Sequence, residues 1–153
     1  MITEPSPDSK MKNRINAMKR MIERSSFTGN EVYAAVLEDG SVVIFHDCNS
    51  TPTSCEAYYH EDIINGERVE FYHNKNNGKN YQIKTYIHTH PHSGCYNNPL
   101  CISQEDISNA IRFNNEINIL LLDGSFYRQS TIPGQSVFTP NYRGNIYDKS
   151  FTY

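Results

Sequence analysis

The chain contains no tryptophan, and no apolar run in it approaches the ~20 residues that a membrane-spanning helix needs. Its first residues, MITEPSPDSK, lack the apolar stretch of a secretory signal. The sequence therefore reads as soluble, with no membrane partner and no signal peptide; export as part of a larger effector stays open. A strong charge of one sign is also missing. The formal net charge is -3, with Lys, Arg, Asp and Glu interspersed, which removes the electrostatic case for a nucleic-acid partner. Internal repeats, low-complexity tracts and evident linkers are absent. So is the C-x2-C knuckle of structural zinc sites, and the four cysteines do not read as one zinc cluster. They fall instead as Cys48 with Cys55 and Cys95 with Cys101, in polar, turn-rich segments. Local disulfides, which suit an oxidising destination, and four free thiols both fit that spacing.

What the chain does have is aromatic bulk: 11 Tyr and 7 Phe supply large side chains for a core and for a binding groove. At 153 residues it reads as one domain, long enough to bury roughly two-thirds of its unfolded surface. Residues 1–9 lack periodicity and read as a flexible lead-in, leaving 10–153 as the single domain.

From Lys10 to Arg24, Met11, Ile15, Met18 and Ile22 recur at helical spacing. They predict an amphipathic helix capped by Asp8 or Ser9, with a solvated basic face. Glu31–Leu37 reads as a strand, Asp39-Gly40 as a tight hairpin turn, and Ser41–Phe45 as the returning strand. Residues 47–66 read as a long irregular connection, and Val69 and Phe71 as part of a strand before a turn at 74–79. Ile117–Leu122 is apolar enough for a central strand buried on both sides. Asp123-Gly124 turns the chain into Ser125–Gln129, and the tail from Ser130 adds one or two short strands. The expected fold class is α/β, a mixed β-sheet flanked by at least two helices.

The chemistry gathers between Tyr81 and Asp106. Tyr81, Ile83, Thr85 and Ile87 alternate with Gln82, Lys84, Tyr86 and His88, which predicts a strand with the first four residues on one face. His88 and His90 then share a face, and Pro91 ends the strand. A loop follows, and Ser103-Gln-Glu-Asp106 opens a helical pattern continued by Ile107, Ala110 and Ile111. Two imidazoles and a carboxylate supply three protein ligands and leave a fourth position open, as catalytic zinc requires. Zinc brings the pKa of a bound water near neutrality, and a nearby carboxylate outside the ligand set can carry the proton to a leaving amine. A hydroxyl at the site mouth can support the oxyanion. Taken singly, Ser103 and Asp106 also fit a helix N-cap and its acidic third residue, and Glu31 fits a polar strand start. A thiol nucleophile at Cys95 beside His92 is a further, separate reading.

Glu31 at the start of an apolar strand, then His88-Thr89-His90-Pro91, then Ser103-x-x-Asp106 form an ordered set. Over residues 10–125 the chain resembles the JAMM/MPN+ (JAB-type) zinc metallopeptidases, whose signature is a Glu, then His-x-His-Pro, then Ser-x-x-Asp. Its opening is similar to the JAB-like domains of bacterial polymorphic toxins. The resemblance implies a cytidine deaminase-like architecture and Zn2+ held by His88, His90 and Asp106. It implies Glu31 as general acid/base and Ser103 as the residue that steadies the tetrahedral intermediate. The implied partner is a peptide or protein substrate, including a ubiquitin-like modifier or a host protein. The family also contains inactive scaffolds, so a non-catalytic MPN-like interaction module is the alternative. Fifteen residues separate His90 from Asp106, more than is usual in that family, and the surplus contains Cys95 and Cys101. A disulfide between them would gather the insertion into a small lobe beside the metal.

Overall fold

The structure, a computed structural model, describes residues 9–45, 60–74, 77–91, 116–130 and 140–153. Its elements in chain order are β1 (Ser9–Met11), α1 (Arg14–Thr28), β2 (Tyr33–Leu37), β3 (Val42–Phe45) and β4 (His60–Ile64). They continue as β5 (Glu67–His73), β6 (Asn80–His90), β7 (Glu116–Leu121), β8 (Ser125–Ser130) and β9 (Asn141–Asn145). Seven strands run in the order β1-β3-β2-β6-β7-β8-β9, and β5 pairs with the start of β6 while β4 pairs with β5. The β6–β7 pair is parallel and the rest are antiparallel, so the sheet is mixed as expected. Among the described residues there is one helix, and the second expected helix, from Ser103, lies outside them. No helix among the described residues is long and apolar enough to cross a membrane.

Helix α1 begins at Arg14, later than its apolar spacing suggests, and Asn13 rather than Asp8 or Ser9 is the N-cap. The Asn13 carboxamide oxygen accepts from Asn16 N at 3.0 Å. Ser9–Met11 is drawn into the sheet instead, pairing antiparallel with β3, so Ser9 and Met11 belong to a strand and not to lead-in or helix. At the other end Gly29 adopts φ 74°, and its N–H closes on Ser25 O at 2.8 Å. Ala17, Met18, Met21 and Ile22 form the buried stripe that packs on the sheet.

The β2–β3 hairpin turns at Asp39-Gly40, as its sequence predicts. Burial opposes ionisation of the Asp39 carboxyl, but donors from Ser41 and Lys10 outweigh it and hold its pKa below the usual value. Residues 60–66, expected to be irregular, form β4 and its turn into β5. Asn65 and Gly66 both have positive φ, 51° and 81°, the requirement of a two-residue type I′ turn. The Asn-Gly pair was the available signal. The other residues of that expected connection, 47–59, lie outside the described set.

Strand β7 is central, with Ile117, Asn118, Ile119 and Leu120 all buried. Its one buried amide is satisfied: Asn118 Nδ2 donates to Thr85 Oγ1 and Tyr86 O, and Oδ1 accepts from Arg128 Nε. Strand β6 departs from strict alternation. Against β2, Val36 pairs with Thr85 but Leu37 pairs with Ile83, a bulge that inserts Lys84. Thr85 and Ile87 therefore do not share a face with Tyr81 and Ile83. Ile87 joins the helix-side core with Ala34, Val36, Val42, Ile44, Leu120 and Phe126. Ile83 packs on the opposite face with Ala35, Leu37, Val43 and Phe45, and Tyr81 and Tyr86 cover that cluster.

Candidate metal centre

The site is built by strand register. Tyr33 pairs with His88 and Ala34 with Ile87 in the antiparallel β2–β6 ladder. The ladder extends one step beyond β2, because Thr89 N donates to Val32 O at 3.0 Å. The same register sets Glu31 opposite His90. Side chains two apart on a strand share a face, so Glu31, Tyr33, His88 and His90 all rise from the side opposite α1.

The three donors converge as that register requires. Glu31, His88 and His90 each offer a ligand atom, and these atoms lie within 4.8 Å of one another. The Glu31 Oε1 to His90 Nε2 separation is 3.7 Å, and both side chains are more than nine-tenths buried. The two imidazole centroids are 4.7 Å apart with planes at 49°. Ligands bound tetrahedrally at zinc-like bond lengths lie about 3.4 Å from one another, so closing on an ion needs a contraction of about 1.4 Å at most. Rotation about the side-chain torsions covers that. Two imidazoles and a carboxylate form a donor set that fits a divalent transition metal, and this group is able to hold one.

A second layer holds these residues. The Tyr33 ring stacks on His88 with centroids 5.5 Å apart and planes only 8° from parallel. Tyr33 also meets Tyr86 at 5.3 Å, and the Tyr86 hydroxyl donates to the buried Glu70 carboxylate on β5. The imidazole orientation is thus set by a packed row of rings.

On the reverse face, Thr89 lies between the two histidines and is fully buried. Its Oγ1 accepts from Val32 N at 2.8 Å and donates to Ser25 Oγ at 2.9 Å, and Ser25 Oγ donates to Asn30 O at 2.6 Å. This relay grips Asn30 and Val32, the two neighbours of Glu31. It ties the carboxylate-bearing segment to both α1 and the histidine strand, in a place where an unpaired hydroxyl would be costly.

Of the five residues expected at the site, the structure brings together Glu31, His88 and His90. Ser103 and Asp106 lie outside the described residues, as do His92 and all four cysteines. The sequence reading missed Ser25, Tyr33 and Thr89. Tyr33, two residues from Glu31 on a strand pattern, carried a usable signal; Ser25 carried none, because its partners are distant in sequence.

No protein family model matches the chain, and neither the curated proteins nor the solved structures contain a match to it. The reading of the site therefore rests on its residues and their geometry.

Proposed function

We propose that this protein is a zinc-dependent hydrolase of the JAMM/MPN+ type, cleaving an amide bond in a peptide, isopeptide or side-chain amide. The observation that supports this most is the convergence of Glu31 with His88 and His90 from two separate strands. A carboxylate, a histidine pair and the following Pro91 match the Glu and His-x-His-Pro parts of the JAMM signature. A bare histidine pair would not select that chemistry.

In this reading His88 and His90 hold the metal with Asp106 as the further ligand. Bound zinc supplies water of near-neutral pKa and polarises the scissile carbonyl. Glu31 lies beside His90 and accepts the water proton at its carboxylate, then returns a proton to the departing amine nitrogen. Its burial keeps bulk water from competing for that proton. Ser103 donates to the developing oxyanion. The substrate is a peptide or protein, with a role as an effector or toxin domain the corresponding setting.

The test is metal analysis paired with a Glu31→Gln variant. We expect stoichiometric zinc in both proteins, and chelator-sensitive hydrolysis of peptide or isopeptide panels only in the unaltered chain. Zinc lost with Glu31→Gln moves that carboxylate into the ligand set. Retained zinc with no hydrolysis by either protein favours the non-catalytic interaction module.

A further inference from the structure

On the helix-facing side of the sheet, opposite to His88 and His90, a cavity of about 210 Å3 is lined by Arg14, Lys84, Thr85, Glu116, Arg128 and Tyr153, among others. Three of these side chains are cationic and one is anionic. The Arg14 and Arg128 guanidiniums lie 4.7 and 4.5 Å from the centroid of the same Tyr153 ring. Glu116 is engaged with Arg128 Nε at 3.4 Å, and that nitrogen also donates to Asn118 Oδ1 at 3.0 Å.

Two polar atoms in this wall are buried without a hydrogen-bond partner: Arg128 Nη2 and Tyr153 Oη. The guanidinium rests near the hydroxyl but makes no well-directed hydrogen bond to it. Burial pushes the Tyr153 phenol above its usual pKa, against the pull of Arg128, so at neutral pH it is a proton donor. Buried donors left unpaired cost stability and call for an acceptor. Arg14 adds a separate indication. It opens α1, a helix with no acidic residue in its first turn, where a cation opposes the helix dipole. Helix formation does not explain a cation there.

A water molecule would satisfy the unpaired atoms but would leave the excess of positive charge unanswered. The cavity is also several times the ~30 Å3 share of a single water. We propose that it binds a small oxyanion, a phosphate group or a carboxylate. Arg14 and Arg128 grip it, Tyr153 Oη donates to it and Lys84 stands at the rim. Guanidinium groups suit this task because their parallel N–H donors match the oxygen spacing of such anions. The site is separate from the metal centre and does not depend on the hydrolase reading.

The experiment is an NMR titration of the full chain with inorganic phosphate, and separately with acetate, at constant ionic strength set by sodium chloride. The Arg128 Nε–Hε and Tyr153 amide signals report. We expect saturable shifts with at least one of the two anions, and the tighter binder identifies the group the site takes. Arg14→Gln and Arg128→Lys should each weaken binding about tenfold, and the more exposed Lys84→Gln about threefold. Circular dichroism checks each variant; should Arg128→Lys not fold, Arg14→Gln and Lys84→Gln decide. Shifts that do not saturate with either anion, or affinities unchanged in Arg14→Gln and Lys84→Gln, mean an adventitious ion only and overturn the proposal.

Discussion

On one face of β6, Thr85, Ile87 and Thr89 look toward α1; on the other, Tyr86, His88 and His90 form a row that ends beside Glu31. Around Ile87 and Thr89 the first face is filled by apolar packing and by a relay of hydroxyls that pairs Thr89, Ser25, Asn30 and Val32. The second concentrates ionisable and aromatic groups that apolar packing alone does not demand. The same backbone thus carries a face that holds the fold and a face that gathers the candidate metal donors, and Thr89 connects them.

That division makes three predictions. Ile87→Ala should cost the most stability, about 2–5 kcal/mol by chemical denaturation, because it opens a cavity in a fully buried core. The surviving native protein should still bind metal stoichiometrically; loss of metal without loss of stability would break the division between faces. His90→Ala should act the opposite way. Zinc affinity, measured against a competing chelator, should fall by more than the 10–100-fold typical of losing a residue that only supports a ligand. The stability of the metal-free protein should change less than in Ile87→Ala. Unaltered affinity would remove His90 from the ligand set. Thr89→Val sits between the two. It keeps the shape but strands Val32 N–H and removes the donor to Ser25 Oγ, which keeps its bond to Asn30 O, with an expected loss of about 1–3 kcal/mol. Zinc affinity should drop about tenfold as the strand carrying His88 and His90 loses its anchor to Val32 and Ser25, and Thr89→Ser should restore it. A change in stability alone would reduce the relay to packing.

Much of the architecture was legible because its causes are local. The apolar run of β7, the Asp-Gly turns at 39–40 and 123–124, and the end of β6 at Pro91 each depend on a few adjacent residues. Asn65-Gly66 is an equally local signal for the turn from β4 into β5, set within a stretch whose polar residues otherwise read as irregular. The start of α1 was misplaced for a different reason. Met11 continues the helical spacing of Ile15, Met18 and Ile22, but the edge of β3 offers residues 9–11 ladder hydrogen bonds that no local pattern reveals. The reversal of faces at Ile83 has the same origin, since the bulge at Lys84 exists only against β2.

The candidate site divides along that line. By itself the sequence determined that His88 and His90 share a face, because a strand has period two and nothing distant is needed to establish it. Only the tertiary structure decided that Glu31 stands across from His90, that Tyr33 stacks on His88, and that Ser25 and Thr89 clamp the segment between them. Those relations depend on antiparallel register between strands far apart in the chain. Register is settled by the buried packing of the whole sheet, which no single stretch of sequence contains.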